Sequence, residues 1–197
     1  MRPFVSRAGE KLDHALDALH LDVTGFNCAD FGCNTGGFTD CLLKRDAAKV
    51  YAIDTGYGAL DWNLRKDPRV VVMERTNAMH VTLPEPVDLV TIDVAWTKQK
   101  NILPAAMRVL KPTGVVVTLI KPHYEAAASM LVKGILPADQ VGPVVERVTG
   151  GIRLIGYEVI QTVPSPILGA GGNAEVLAML RVMRSGEAGC DSVGRAD

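Results

Sequence analysis

No apolar run in this chain is long enough to cross a membrane: the longest after the start, residues 115–120, falls far short of the ~20 residues a spanning helix needs. Residues 1–12 carry Arg2, Arg7, Glu10 and Lys11 and no apolar stretch of the export type. A soluble, cytoplasmic protein without a membrane partner is the expectation. Cysteine is sparse as well. Cys28, Cys33, Cys41 and Cys190 form neither a C-x-x-C pair nor the spaced pairs of a zinc site, so reduced thiols and no metal are expected. Excess positive charge is also missing, and a net charge of −1 denies the chain the global field of a dedicated nucleic-acid binder. One stretch, 94–124, has no Asp or Glu yet contains Lys98, Lys100, Arg108, Lys111 and Lys121. It reads either as a local basic patch able to hold nucleic acid or as an ordinary solvated helix face.

What is present is an alternation of short strands and helices. A chain of 197 residues, 48% hydrophobic and 22% charged, suits one globular domain, expected over 1–184, with the polar, glycine-containing 185–197 as a disordered tail. Leu12, Leu16 and Leu19, with Ala15, recur at helical spacing and predict a helix over 9–20. Strands are predicted at 27–31, 49–54, 70–73, 87–93 and 115–120, with helices at 38–45, 60–65 and 102–110, the last ended by Lys111-Pro112. The polar stretch after Lys121-Pro122 reads as a loop or broken helix, and a further helix is expected over 138–153. Final strands at 157–163 and 174–183 flank Pro164-Ser165-Pro166 and Gly171-Gly172-Asn173, the pattern of an antiparallel hairpin. The expected fold is α/β: a Rossmann-like, doubly wound, mainly parallel seven-stranded sheet with an antiparallel C-terminal edge hairpin. Such sheets bind ligands at the carboxyl ends of their strands.

The first strand ends in Asp30-Phe31-Gly32-x-x-x-Gly36-Gly37-Phe38, whose small residues let a ligand approach the amides at the start of the next helix. Asn34 stands where a dinucleotide fingerprint needs its second glycine, and Gly37-Phe38-Thr39 lacks the P-loop lysine, so phosphate is the weaker ligand choice. S-adenosylmethionine offers a carboxylate, an ammonium and a ribose diol instead, which suits an acid at the turn and another at the next strand end. The candidate cofactor residues are therefore Asp30, Gly32, Asn34, Gly36, Gly37 and Phe38, with Asp54 on the ribose hydroxyls, Asn77 on the adenine amino group and Asp93 beside the sulfonium. A helix cap is the plain alternative for Asp54, and a structural role for Asn77.

Asp93 and Lys121 end the fourth and fifth strands and should face one cleft, with Lys11 in the first helix and Glu175 in the last strand able to close the set. Two lysines and two acids suit hydroxyl activation, because burial and a second ammonium can turn a lysine into a base while carboxylates orient the amines. Two ordinary salt bridges fit the spacing equally well.

Ser6-Arg7-Ala8-x-x-Lys11-Leu12, the turn 30–40, Ile92-Asp93-Val94, Lys121-Pro122 and Gly172-Asn173-x-Glu175 together resemble the FtsJ-type ribose 2′-O-methyltransferases. Gly37-Phe38-Thr39-Asp40-Cys41-Leu42-Leu43, Asp54-x-Gly56-Tyr57-Gly58-x-Leu60-Asp61-Trp62 and Glu74-Arg75-Thr76-Asn77-Ala78 resemble the TlyA, hemolysin-like ribosomal RNA methyltransferase branch. The resemblance implies a catalytic Lys-Asp-Lys-Glu tetrad at Lys11, Asp93, Lys121 and Glu175. It implies that Lys121 is the base on a ribose 2′-hydroxyl of RNA, tuned by Asp93 and Lys11, with Glu175 holding Lys11.

The chain also departs from that pattern. TlyA-type proteins carry an N-terminal RNA-binding module, whereas this sequence starts almost directly at the methyltransferase segment, so weaker RNA capture or a separate RNA-binding partner is expected. Ala95-Trp96 stands where Ser-Phe is usual, and Leu168 and Gly171 stand where lysines are common. Trp96 suits stacking on a base or a place in the core or lid, and His123-Tyr124 suits the acceptor pocket or simple packing. The leading reading is an RNA, expectedly ribosomal RNA, ribose 2′-O-methyltransferase. A small-molecule O-methyltransferase and a cofactor- or RNA-binding protein without turnover are the alternatives.

Overall fold

The computed structural model describes residues 3–169 and 171–183; the tail expected over 185–197 lies outside them. The elements are α1 (Ala8–Ala18), β1 (Asn27–Phe31), α2 (Gly37–Lys44), β2 (Lys49–Ile53), α3 (Trp62–Lys66), β3 (Val70–Met73), β4 (Val87–Ile92), α4 (Gln99–Val109), β5 (Leu110–Ile120), α5 (Pro122–Glu125), α6 (Ala138–Leu154), β6 (Tyr157–Pro164) and β7 (Val176–Val182). The strands form one sheet in the order β3-β2-β1-β4-β5-β7-β6. β1 to β5 run parallel, and β7 is antiparallel to both β5 and β6, giving the doubly wound sheet with its C-terminal hairpin. The winding reverses between β1 and β4, and that switch point opens a crevice at their carboxyl ends.

The strands read as near-continuous apolar runs because helices cover both faces. Leu12, Leu16, Leu42 and Leu64 from α1, α2 and α3 pack on Cys28, Val50 and Leu89. The alternate residues Ala29, Tyr51 and Val90 face Ile102 and Leu103 of α4 and Val148 and Ile152 of α6. Among the described residues, no helix is long and apolar enough to cross a membrane, and no group of His, Cys, Asp and Glu could hold a metal.

Three boundaries differ from the sequence expectation. α4 begins at Gln99 rather than residue 102, because the Glu125 carboxylate accepts the Gln99 backbone N–H at 2.7 Å and caps the helix from α5. β5 takes over at Leu110 rather than 115: Val87 pairs with Leu110 and Leu89 with Val115, so the segment between, including Lys111-Pro112, bulges out where proline needs no ladder partner. β7 starts at Val176, so Glu175 sits in the loop before the strand and not inside it. That loop is fixed by buried Asn173, which accepts from Leu136 N at 2.8 Å and donates to the Gly134 carbonyl at 3.0 Å.

Candidate active site

Register builds the site. Phe31 lies beside Ile53 on one side and Ile92 on the other, Ile92 lies beside Thr118, and Ile120 lies beside Val176. The residues just beyond these pairs, Asp54, Gly32, Asp93, Lys121 and Glu175, therefore gather along one rim of the sheet. Gly32 has φ +84°, and a Cβ there would stand 2.7 Å from the Asp93 carbonyl oxygen, so only glycine lets β1 and β4 leave the sheet this close together.

Two cavities open on that rim. The larger, about 440 Å³, is walled by Gly32, Asn34, Asp54, Asn77, Asp93 and Trp96 among others, and among the described residues no Lys, Arg or His lines it. A wall of carboxylates, amides and small residues suits a ligand with an ammonium and a diol better than a phosphate, for which it supplies no cation among the described residues. The smaller, about 210 Å³, shares Gly32, Asn34 and Asp93 and adds Ser6, Phe38 and Lys121. The cavities thus meet at Asp93, with Lys121 as the cation on the far side.

The cofactor candidates divide into those on the wall and those behind it. Asp54 accepts the Asn34 N–H at 2.9 Å and the Gly56 N–H at 2.7 Å, tying the glycine-rich turn to the end of β2. The helix-cap alternative goes to its neighbour Asp61, which caps α3 through Asn63 N. Asn77 lines the larger cavity and also caps the short 3₁₀ turn 78–80, accepting from Met79 N at 2.9 Å. Asp30, Gly36 and Gly37 line neither cavity. A Cβ on Gly36 (φ +100°) would stand 2.4 Å from Leu64, and one on Gly37 would stand 2.3 Å from Ser6 Oγ, so both glycines serve the packing of the turn.

Asp30 lies within β1, fully buried, with one oxygen accepting from Thr39 Oγ1 at 2.7 Å and the other from Thr91 Oγ1 at 3.1 Å. Sequence reading missed both threonines. Their signal was an acid inside an apolar strand, which demands polar partners from its neighbours. Burial pushes the Asp30 carboxyl up to about 7 against the two hydroxyl bonds, and the Asp93 charge raises it further. The folded state therefore holds this proton more tightly than the unfolded chain does, and its contribution to stability is lost as pH rises from about 4 through about 7. Asp30→Asn is expected to gain roughly 2–3 kcal/mol over wild type between pH 5 and pH 8 in urea melts; a gap independent of pH contradicts this.

Of the acid–base set, Lys121 Nζ lies 2.6 Å from Asp93 Oδ1 and 3.1 Å from the Val94 carbonyl oxygen. Lys11 and Glu175 form a second, buried ion pair. His123 packs on the Tyr124 ring at 4.1 Å between centroids, and Lys121 Nζ lies 6.0 Å from that same ring. Trp96 is no core residue: it is 80% exposed, at φ +55°, with its ring 6.3 Å from that of Tyr124. Among the described residues, two of the five cations in the basic stretch are paired with acids. Lys111 pairs with Asp88, Lys121 with Asp93, and Arg108 donates to the Pro104 and Met79 carbonyls, leaving only Lys98 and Lys100 of the five without such partners among the described residues.

The chain matches the model of the FtsJ-like methyltransferases over residues 4–182. It is 40% identical over 186 residues to the 16S/23S rRNA (cytidine-2′-O)-methyltransferase TlyA of Mycobacterium tuberculosis, covering 91% of this chain and 69% of that one. To Hemolysin A of Brachyspira hyodysenteriae it is 38% identical over 181 residues, 89% of this chain and 75% of that one. A solved chain that carries the hemolysin name, from Streptococcus thermophilus, superposes with a TM-score of 0.89 at 37% identity, over 94% of this chain and 69% of that one. A cavity walled by carboxylates and amides at the switch point and a match spanning nearly every described residue lead to one conclusion: the chain belongs to the FtsJ-like methyltransferase family and takes its methyl group from S-adenosylmethionine.

Proposed function

We propose that this methyltransferase modifies a ribose 2′-hydroxyl of RNA, with ribosomal RNA as the substrate class, through Lys11, Asp93, Lys121 and Glu175. The observation that carries the reading is the Lys121 Nζ to Asp93 Oδ1 contact of 2.6 Å at the seam of the two cavities. When bound, S-adenosylmethionine supplies an electrophilic methyl group for in-line displacement, a step that depends mostly on positioning. As a neutral amine, Lys121 has two hydrogens, and Asp93 Oδ1 with the Val94 carbonyl accepts both. Its lone pair is then left to take the proton of an incoming hydroxyl. Asp93 steadies the ammonium that results, and the Lys11–Glu175 pair packs that corner of the site. The Mycobacterium tuberculosis relative, a 16S/23S rRNA (cytidine-2′-O)-methyltransferase, supports the same acceptor for this chain.

Asp54 is assigned to the ribose diol of the cofactor and Asn77 to its adenine. Each Asp54 oxygen already takes one backbone N–H and keeps a lone pair for a hydroxyl. Asp54→Ala is expected to raise the dissociation constant for S-adenosylmethionine about 10- to 100-fold by calorimetry, since it removes charge-assisted bonds and frees the turn. An unchanged constant rejects the assignment.

The pairing of Lys111 and Lys121 with acids, which takes two cations from the basic stretch, favours a second reading, a small-molecule hydroxyl acceptor. Incubation with labelled S-adenosylmethionine and separate pools of ribosomal RNA, transfer RNA and metabolites decides between them. The proposal expects label in RNA riboses, absent with Lys121→Ala. Label confined to small molecules overturns it in favour of the second reading, and cofactor binding without transfer to any pool leaves a binding protein.

A further inference from the structure

Lys121 ends β5 and caps the short helix α5, which Pro122 opens, so His123 follows the proposed base by two residues. Its imidazole packs on the Tyr124 ring, with centroids 4.1 Å apart and the planes tilted by 47°. The other side of this aromatic pair is the site itself: Lys121 Nζ lies 6.0 Å from the Tyr124 ring, and the exposed Trp96 ring, on the wall of the larger cavity, lies 6.3 Å from it. Among the described residues, His123 Nδ1 is the buried side-chain polar atom that has no hydrogen-bond partner. Nδ1 therefore turns inward, and Nε2 is the nitrogen left open to solvent and ligands.

This geometry selects a tautomer. An orphaned buried N–H is rarer in folded proteins than an orphaned acceptor, so the hydrogen belongs on Nε2. Protonating the ring would bury a charged N–H at Nδ1 with no partner. Desolvation accordingly lowers the His123 pKa, the Lys121 ammonium lowers it too, and only Glu175 opposes them. The result is a neutral donor beside the proposed base. It can bind an oxygen without adding a second cation that would compete with Lys121 for Asp93.

We infer that His123 is a substrate-positioning residue on the acceptor side, its neutral imidazole donating from Nε2 to an oxygen of the RNA sugar–phosphate backbone next to the target hydroxyl. The inference rests on the RNA reading above. His123→Phe keeps a ring against Tyr124 and removes the donor, whereas His123→Gln offers an amide donor at similar reach. Steady-state methylation of RNA by the whole chain should show KM for RNA raised about tenfold in His123→Phe, the size of one lost hydrogen bond. The kcat and the affinity for S-adenosylmethionine should stay at wild-type values, and His123→Gln should recover most of the KM. A wild-type KM in His123→Phe overturns the inference while leaving the RNA reading intact. A parallel loss of kcat and cofactor affinity, unrescued by Gln, assigns the residue to packing and also overturns it. Failure of the wild type itself to methylate RNA removes both.

Discussion

Replacing Lys121 by alanine is expected to lower single-turnover methyl transfer to RNA about 10²- to 10⁴-fold, the usual cost of losing a positioned general base. Binding of S-adenosylmethionine should survive, because Lys121 lines only the smaller cavity and no cation among the described residues lines the larger one. Lys121→Arg sharpens the test. Arginine can hold Asp93 and keep the local charge but cannot give up its proton at any working pH. If Lys121 acts as a base, the arginine variant should be as inactive as alanine. Activity retained by arginine would show that a fixed positive charge suffices, and the base assignment would fall.

The second large effect concerns stability. Lys11 and Glu175 expose only 9% and 4% of their side chains, and each is the other's ion-pair partner. Glu175→Ala leaves an ammonium buried without a counter-charge, for which about 3–5 kcal/mol of destabilisation is expected in urea unfolding. The space around Glu175 is tight, since a Cβ on Gly169 would stand 2.5 Å from its Oε1, so little water can enter to solvate Lys11. Replacing both partners by apolar residues, Lys11→Met with Glu175→Leu, should recover most of that loss, because the desolvation of both charges disappears with them. The same double variant should remain impaired in methyl transfer if the pair serves the chemistry. Full activity in a refolded double variant would assign the pair to structure alone.

Much of the architecture could be read along the chain because its signals are local. Apolar runs of four to six residues alternating with helical periodicity set the order of elements, and the small residues of 32–37 mark the turn after β1. Asp54, Asp93 and Lys121 were recognisable as strand-end residues from the same reading, and in a parallel sheet all strand ends of one sense share one rim. Identifying the ligand was also partly local: the missing glycine at Asn34 and the missing lysine after Gly37 spoke against phosphate, and the wall of carboxylates and amides agrees.

What could not be read depends on contacts between distant residues. Asp30 was expected at the ligand and lies instead inside β1 among Thr39 and Thr91, because its position in the strand turns it toward α2. The acid-free stretch 94–124 carries less unpaired charge than it shows along the chain, because Asp88 and Asp93, which pair with Lys111 and Lys121, both lie before it. Glu125 starts α4 three residues early from a different helix.

The glycine-rich turn, the strand-end carboxylates and the doubly wound order were determined by the sequence itself, since backbone permissiveness and hydrophobic period act over a few residues. The meeting of Lys11 with Glu175, 164 positions apart, and of Trp96 with Tyr124 beside Lys121 was decided only by the tertiary structure. Insertion of β7 between β5 and β6 brings Glu175 alongside Lys121, and strand insertion is a choice of long-range pairing that leaves no local mark on the chain.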